Sequence, residues 1–380
     1  MDMPRSIPFN RPSLAGKELE YIGEALTSGH VASNGPFTRR AESALEAYLG
    51  APRVFLTHSC TAALEICALL TVERGDEVIV PSFTYAATAT AFVRCGATPV
   101  FVDICPDTLN IDPRAVSAAI TPKTKAIVAV HYAGVGCDID ALQNIADTAN
   151  LVFIEDAAHA LGARYRSRSL GTFGAVSALS FNATKNVISG EGGALIVNDR
   201  RLIDRAQRIR DRGTNREQFL RKEVGEYSWV DLGSAFAPSD ITAAYMLAQI
   251  EQIDAITAER LLLWRRYHAA LAVLEEKGIA RRPVVPAEAA HNAHIYYLLL
   301  ADAARRTELF DELSRGGIAA VSHYVPLHSA PAGRKFGRTA GSLAVTDDVA
   351  KRMVRLPLYR SLGKHEQSEV IDGVLRSLIS

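Results

Sequence analysis

The chain has 380 residues, enough for one large or two smaller hydrophobic cores. Lys+Arg and Asp+Glu number 42 each, so the net charge is zero. This balance excludes bulk electrostatic capture of nucleic acid or a membrane surface but leaves room for a local anion site. Hydrophobic residues make up 48%, as in globular proteins. No apolar run reaches membrane-spanning length, and the opening Met1-Asp2-Met3-Pro4-Arg5-Ser6 has no apolar leader, so a cytoplasmic protein is expected.

In chain order, a Pro-containing extended start leads to a helix over 14–28, a turn cluster at Ala32-Ser33-Asn34-Gly35-Pro36, and a helix over 37–49. Strand and helix patterns then alternate. Strands are expected at 53–57, 77–80, 98–102, 126–131 and 151–155, with helices at 61–70, 85–94 and 139–150. Apolar runs at 175–181 and 194–197 complete the strand set. Short Val- and Ile-rich runs separated by helices predict an α/β fold with a mostly parallel sheet covered on both faces. From about Ile241 the pattern turns long and helical through Ala255 to Glu276, and a smaller α+β segment closes the chain. A large domain over 1–245 and a small one over 246–380 are expected, with the first residues free to pack on the small domain.

The five cysteines, Cys60, Cys67, Cys95, Cys105 and Cys137, are odd in number and form no C-x-x-C pair. They read as small buried hydrophobes in a reducing compartment, and no metal is expected.

Lys185 is the only lysine between Lys125 and Lys222. It stands in a short polar loop after the run ending at Phe181 and before the glycine-rich turn Gly190-Glu191-Gly192-Gly193. A surface charge is the ordinary reading of a lysine, yet a solitary one between two buried strands fits a Schiff-base lysine, whose amine must be partly desolvated to attack a carbonyl. In open α/β sheets ligands bind at the carboxyl ends of the strands, where three further groups fall. Thr57-His58-Ser59-Cys60-Thr61-Ala62 ends a strand and opens a helix; that suits a phosphate, although the spacing alone favours an ordinary N-cap by Ser59 or Thr61. Asp156 ends a very apolar strand, where it either caps a helix or meets a cation such as a protonated pyridine nitrogen. His159, three residues on, reads alone as structural. Tyr85, just past a strand end, packs in the core or stacks on a flat ring.

Taken in order, these groups resemble the fold-type I pyridoxal phosphate enzymes, and more narrowly the DegT/DnrJ/EryC1/StrS sugar aminotransferase family. The matching strings include Gly75-Asp76-Glu77-Val78-Ile79-Val80-Pro81, Gly96-Ala97-Thr98-Pro99, Val130-His131-Tyr132-Ala133-Gly134, Glu155-Asp156-Ala157-Ala158-His159, Gly190-Glu191-Gly192-Gly193, Tyr324-Val325-Pro326-Leu327-His328 and Leu356-Pro357-Leu358. Ile7-Pro8-Phe9-Asn10, Arg212-Gly213-Thr214-Asn215-Arg216, Asn292-Ala293-His294 and His323 direct the resemblance to the branch that aminates a dTDP-linked keto sugar for enterobacterial common antigen.

The resemblance implies a fold-type I, aspartate aminotransferase-like large domain, pyridoxal 5'-phosphate as cofactor, and a homodimer with its active site at the subunit interface. Lys185 would hold the cofactor covalently and act as the catalytic base. Asp156 would pair with the pyridine nitrogen, Tyr85 would stack on the ring, and Thr61, Ala62 and Ser180 would cradle the phosphate. His159 stands where the family more often has Gln, near the ring hydroxyl. Arg212, Arg216, Tyr324 and His328 are the substrate candidates. The substrates implied are glutamate and dTDP-4-keto-6-deoxyglucose, aminated at C4. One departure concerns the stretch Gly233-Ser234-Ala235, where relatives supply an Asn to the neighbouring subunit's phosphate. An alanine side chain makes no such bond, so Ser234 or a backbone group takes its place or the contact is missing. Family dehydratases carry His at the lysine position, so Lys185 argues against that chemistry. No G-x-G-x-x-G follows a strand, which argues against a nicotinamide enzyme. A 3-keto or UDP-linked acceptor, or a catalytically silent paralogue, stays open.

Overall fold

A computed structural model describes residues 6–379, so positions 1–5 of the opening stretch lie outside the described residues. Strands β1 (Arg53–Thr57), β2 (Glu77–Pro81), β3 (Thr98–Val102), β4 (Thr124–Val130), β5 (Val152–Asp156), β6 (Val176–Ser180) and β7 (Gly193–Val197) form one sheet. Their spatial order is β1-β7-β6-β5-β4-β2-β3, and the short strand Arg338–Thr339 adds on beyond β3. The sheet buries both faces, as the runs require. In β4, Ile127 and Ala129 join one core while Ala126 and Val128 join the other, because successive side chains leave a strand on opposite faces. Helices α2 (Pro36–Leu49), α5 (Ile139–Ala149) and α6 (Asp240–Ile250) cover the first face. Helices α3 (Cys60–Thr71) and α4 (Ala86–Arg94) cover the second.

The pairs from β3 through β6 are parallel, but β7 runs antiparallel between β1 and β6. The reason is local: residues 181–192, which link β6 to β7, contain no helix, so the chain returns beside the strand it has just left. Helix α1 (Glu18–Thr27) begins later than the pattern predicted. The Glu18 carboxylate accepts hydrogen bonds from the amides of Ala15 (2.5 Å) and Gly16 (2.9 Å), which turns the preceding residues out of the helix.

The C-terminal layer is a three-stranded sheet of Ala280–Arg281, Tyr296–Leu300 and Met353–Leu356, packed against α7 (Ile253–Ala270) and the helices Ala304–Arg315 and Lys364–Ile379. Ile7 packs into this core and bridges to Ile318. The expected boundary at residue 245 falls inside α6, whose Ala243, Met246 and Leu247 belong to the first core. Side chains change cores within α7, between Ile256 and Trp264.

Candidate active site

Three strand ends set the site. β1 ends at Thr57, β5 at Asp156 and β6 at Ser180, and a cleft of about 510 Å³ opens beside them. Helix α3 starts at this cleft. Ser59 is its N-cap and accepts from the Ala62 amide at 3.1 Å, while Cys60 and Thr61 line the cleft. The first amides of a helix have no intrahelical acceptor, so this end favours an anion. Gly193 permits the approach: it lies between Thr57 and Ser180 in the sheet, and a Cβ there would come 2.4 Å from the Ser59 carbonyl carbon.

Lys185 lines the same cleft, and its loop is tied on several sides. Asn182 accepts from the backbone and hydroxyl of Thr184 and donates to Glu191 at 2.8 Å. Asn10 donates to the Ala183 carbonyl at 2.9 Å. Asn186 donates to the Asn292 carbonyl at 2.8 Å and meets His294 Nδ1 at 3.0 Å. Burial lowers the Lys185 amine to about 8, against the opposing pull of Cys60 and Asp156, while the Arg355 charge lowers it further. A substantial fraction of the amine is therefore uncharged at mildly alkaline pH, as a nucleophile or base requires.

Asp156 is buried. Its Oδ2 accepts from Thr88 Oγ1 at 2.7 Å and its Oδ1 from the Ala158 amide at 3.2 Å. Because Thr88 donates to the carboxylate, its oxygen is left to accept from Thr84, 2.9 Å away. Burial raises the Asp156 carboxyl above the usual range, while Thr88, Ala158 and Lys185 oppose that rise. A nearby cation would complete its charge balance. Beneath it, the fully buried Glu155 accepts from the amides of Gly171, Phe173 and Gly174, each at 2.7 Å, and faces His131 Nε2 at 3.0 Å. Burial pushes Glu155 up, but His131 and these amides hold it below the ordinary carboxylate range. The Cys137 amide donates to His131 Nδ1, so the ring proton is on Nε2 and points at Glu155. This network fixes the strand end that carries Asp156.

The other anticipated residues divide. Thr61, Tyr85, Asp156, His159, Ser180, Lys185 and Tyr324 all line the cleft. Tyr85 is 65% exposed at the N-cap of α4, so it does not pack in the core. Ala62 sits behind the lining with its amide already donated to Ser59. Arg212, on a loop, and Arg216, at the start of the short helix Arg216–Leu220, are exposed and do not line the cleft; Arg216 pairs with Glu217 at 3.1 Å. His328 is held by Ser82 through Nδ1 at 2.8 Å and lies 3.4 Å from Asp347, also off the cleft. Sequence reasoning left Phe9, Glu191, His294, His323 and Arg355 unassigned, although all five line the cleft. Each stands inside or next to a string that carried the resemblance, and that adjacency was the available signal.

A model of the DegT/DnrJ/EryC1/StrS aminotransferase family matches residues 12–375. The chain belongs to this family. It is 33% identical over 377 residues to the spore coat polysaccharide biosynthesis protein SpsC of Bacillus subtilis, covering 97% of this chain and 96% of that one. Among solved structures, the aminotransferase TlmJ of Streptoalloteichus hindustanus superposes with a TM-score of 0.90 at 29% identity, covering 98% of this chain and 99% of that one. The PLP form of a putative sugar aminotransferase, Spr1654 of Streptococcus pneumoniae, gives 0.89 at 28% identity, covering 99% of both chains. The fold is therefore fold-type I, and pyridoxal phosphate is the cofactor of this aminotransferase. The residues present fit that group. His159 Nδ1 is buried without a hydrogen-bond partner among the described residues, so the cleft keeps a polar atom for a bound molecule. The α3 start offers free amides for a phosphate, Asp156 needs a cation, and Lys185 offers an amine for an aldehyde.

Proposed function

We propose that this family member moves an amino group from glutamate to C4 of dTDP-4-keto-6-deoxy-D-glucose, giving dTDP-4-amino-4,6-dideoxy-D-galactose. The observation that carries the aminotransferase part is the meeting of a lysine amine lowered to about 8 and a buried strand-end carboxylate in one cleft. In this reading Lys185 would hold the cofactor, Asp156 would keep its ring nitrogen protonated, Thr61, Ser180 and the α3 start would bind its phosphate, and Tyr85 would pack against it. The bound cofactor supplies delocalisation of the electron pair left at the reacting carbon. Lys185 Nζ then takes the proton from the amine-bearing carbon of the donor and returns one to C4 of the sugar. Because a single group delivers that proton, the sugar's orientation fixes the configuration of the product. Of the substrate candidates, Tyr324 lines the cleft, which supports a role for it. The resemblance of several strings to the C4-aminating branch supports the choice of sugar.

We extend the reading to a homodimer with the cleft at its interface. The loop following Arg216 exposes Leu220, Tyr227, Trp229 (75% exposed), Val230 and Leu232 together, an apolar set that a second copy would cover. The deciding experiment incubates the cofactor-loaded protein with glutamate and dTDP-4-keto-6-deoxyglucose and reads the product by NMR. An axial C4 amine is expected. An equatorial amine, amination at C3, or turnover only with a UDP-linked sugar would overturn the substrate assignment.

A further inference from the structure

Thr88 stands in the first turn of α4 and is fully buried. A threonine inside a helix commonly returns its hydroxyl proton to a carbonyl of the preceding turn, as Thr71 does in α3, donating to the Cys67 carbonyl at 2.7 Å. Thr88 instead gives its proton to a carboxylate on another element, Asp156 Oδ2, at 2.7 Å. It is the only side chain that donates to Asp156 among the described residues; the other donor is the Ala158 amide, at 3.2 Å.

The direction of the bond carries chemical meaning. An ionised carboxylate has no proton to give, so Thr88 donates to it and accepts from Thr84, 2.9 Å away. A protonated Asp156 would reverse both bonds. A hydroxyl donating to a carboxylate makes a shorter and stronger bond than one between neutral groups, so the Thr84–Thr88–Asp156 chain favours the ionised form. Burial works against that form, and the Thr88 hydrogen bond is the largest of the influences that oppose burial, ahead of Ala158, Lys185 and His131. A purely mechanical role for Thr88 is less economical. β5 is already paired on both sides, Asp156 with Val130 of β4 and with Ala178 of β6, so the strand end is placed without help from α4.

We propose that Thr88 is a positioning residue: by donating to Asp156 Oδ2 it holds the carboxylate ready to partner a protonated ring nitrogen, and so lets the cleft choose a pyridine ring over a neutral ring of the same shape. The inference rests on the reading in which Asp156 faces the cofactor's ring nitrogen, and it adds the group that prepares the carboxylate. Thr84, which lines the cleft, stands one step further back and orients the Thr88 hydroxyl by donating to its oxygen. A tether would hold either ring equally well, whereas a group that acts through the Asp156 charge must distinguish them.

The test uses the cofactor-free full chain and two probes, pyridoxamine 5'-phosphate and its analogue with C–H in place of the ring nitrogen. Neither carries an aldehyde, so calorimetry at pH 7 reads binding without a bond to Lys185. Wild-type protein should favour the nitrogen ring on the order of 10- to 100-fold, as expected of a hydrogen bond between charged groups. Thr88→Val should cut this ratio on the order of tenfold while the Kd of the analogue stays within about twofold of wild type. Thr88→Ser, which keeps the hydroxyl, should restore the ratio. If Thr88→Val does not fold, Thr84→Val serves instead, with a smaller loss in the same direction. Equal weakening of both probes, or an unchanged ratio in the folded Thr88→Val protein, would overturn the proposal. A wild-type protein that binds both probes equally would overturn the pairing of Asp156 with the ring nitrogen and this inference with it. Failure to aminate the keto sugar would overturn only the substrate assignment, because no substrate enters the binding measurement.

Discussion

Replacing the central lysine should make the cofactor-free protein more stable. Lys185 has an ordinary amine value of 10.5, and burial brings it to about 8. Its folded value therefore lies below its unfolded one, so keeping the amine charged costs the fold free energy. Each pH unit of such a difference is worth about 1.4 kcal/mol, and allowing for the amine's partial exposure to the cleft leaves about 2–3 kcal/mol. The sign fixes the pH window. The penalty is fully present below pH 8, fades as pH rises towards the unfolded value, and vanishes above it. Lys185→Met keeps the length of the side chain without the charge. Urea denaturation of the cofactor-free variant at pH 7 should show about 2–3 kcal/mol of added stability, shrinking between pH 8 and 10.5. Turnover should be lost at the same time, because no amine remains to hold the cofactor. A gain independent of pH, or a loss of stability at pH 7, would show that the lysine is not held desolvated in the folded chain.

The remaining predictions concern the groups around it. Asp156→Asn keeps the shape but removes the charge that would hold a ring nitrogen protonated; the rate should fall roughly 10²-fold, and a near-wild-type kcat would move the role to another residue. Glu155→Gln places an amide against the three backbone amides and His131 that now face a carboxylate. It should cost about 3–5 kcal/mol at pH 7 by urea titration, and the difference should shrink as pH falls through the depressed folded value of Glu155; a pH-independent cost would refute the charge argument. His159→Gln swaps one neutral polar group for another and should cost no more than about tenfold in kcat/KM, whereas a loss beyond 10²-fold would make the ring a proton carrier. Leu232, 63% exposed, lies in the apolar set assigned to the dimer; Leu232→Asp should shift the sedimenting species towards a single chain, and a wild-type protein that already sediments as a monomer would refute the interface.

Much of the sheet was legible because β4 and β5 contain the apolar runs 126–130 and 152–154, and a strand buried on both faces needs such a run. The direction of β7 was not, since periodicity carries no sign; it follows from the absence of a helix between Phe181 and Gly192. Asp156 was legible from its place at a strand end, and Lys185 from its isolation in the polar loop between two apolar strands. Phe9, His294, His323 and Arg355 were not, because they reach the cleft from segments far along the chain, and only the packed fold brings them together. Arg212 and Arg216 are the opposite case, since neither lines the cleft within this chain. Arginine chemistry suits a diphosphate, but the backbone of Arg212 is left-handed, at φ 66°, and its loop presents both side chains to the exterior. Residue type identified a capability there, and the loop conformation decided where it points.

The same packing explains how one small cleft holds so many titratable rings without filling with charge. Tyr132 Oη meets His323 Nδ1 at 3.0 Å, His323 stacks on Tyr324 with centroids 3.5 Å apart, and the His159 and His294 rings lie 4.3 Å apart. Burial pushes all three imidazoles down, and the positive charges of Lys185 and Arg355 reinforce it. At working pH they are neutral donors and acceptors. The ionisable groups left to carry charge along the cleft wall are then Asp156, Glu191, Arg355 and Lys185. A charged histidine beside Lys185 would lower the amine further and would compete for the same carboxylate. In the proposed mechanism, keeping the rings neutral would let one lysine serve both half-reactions.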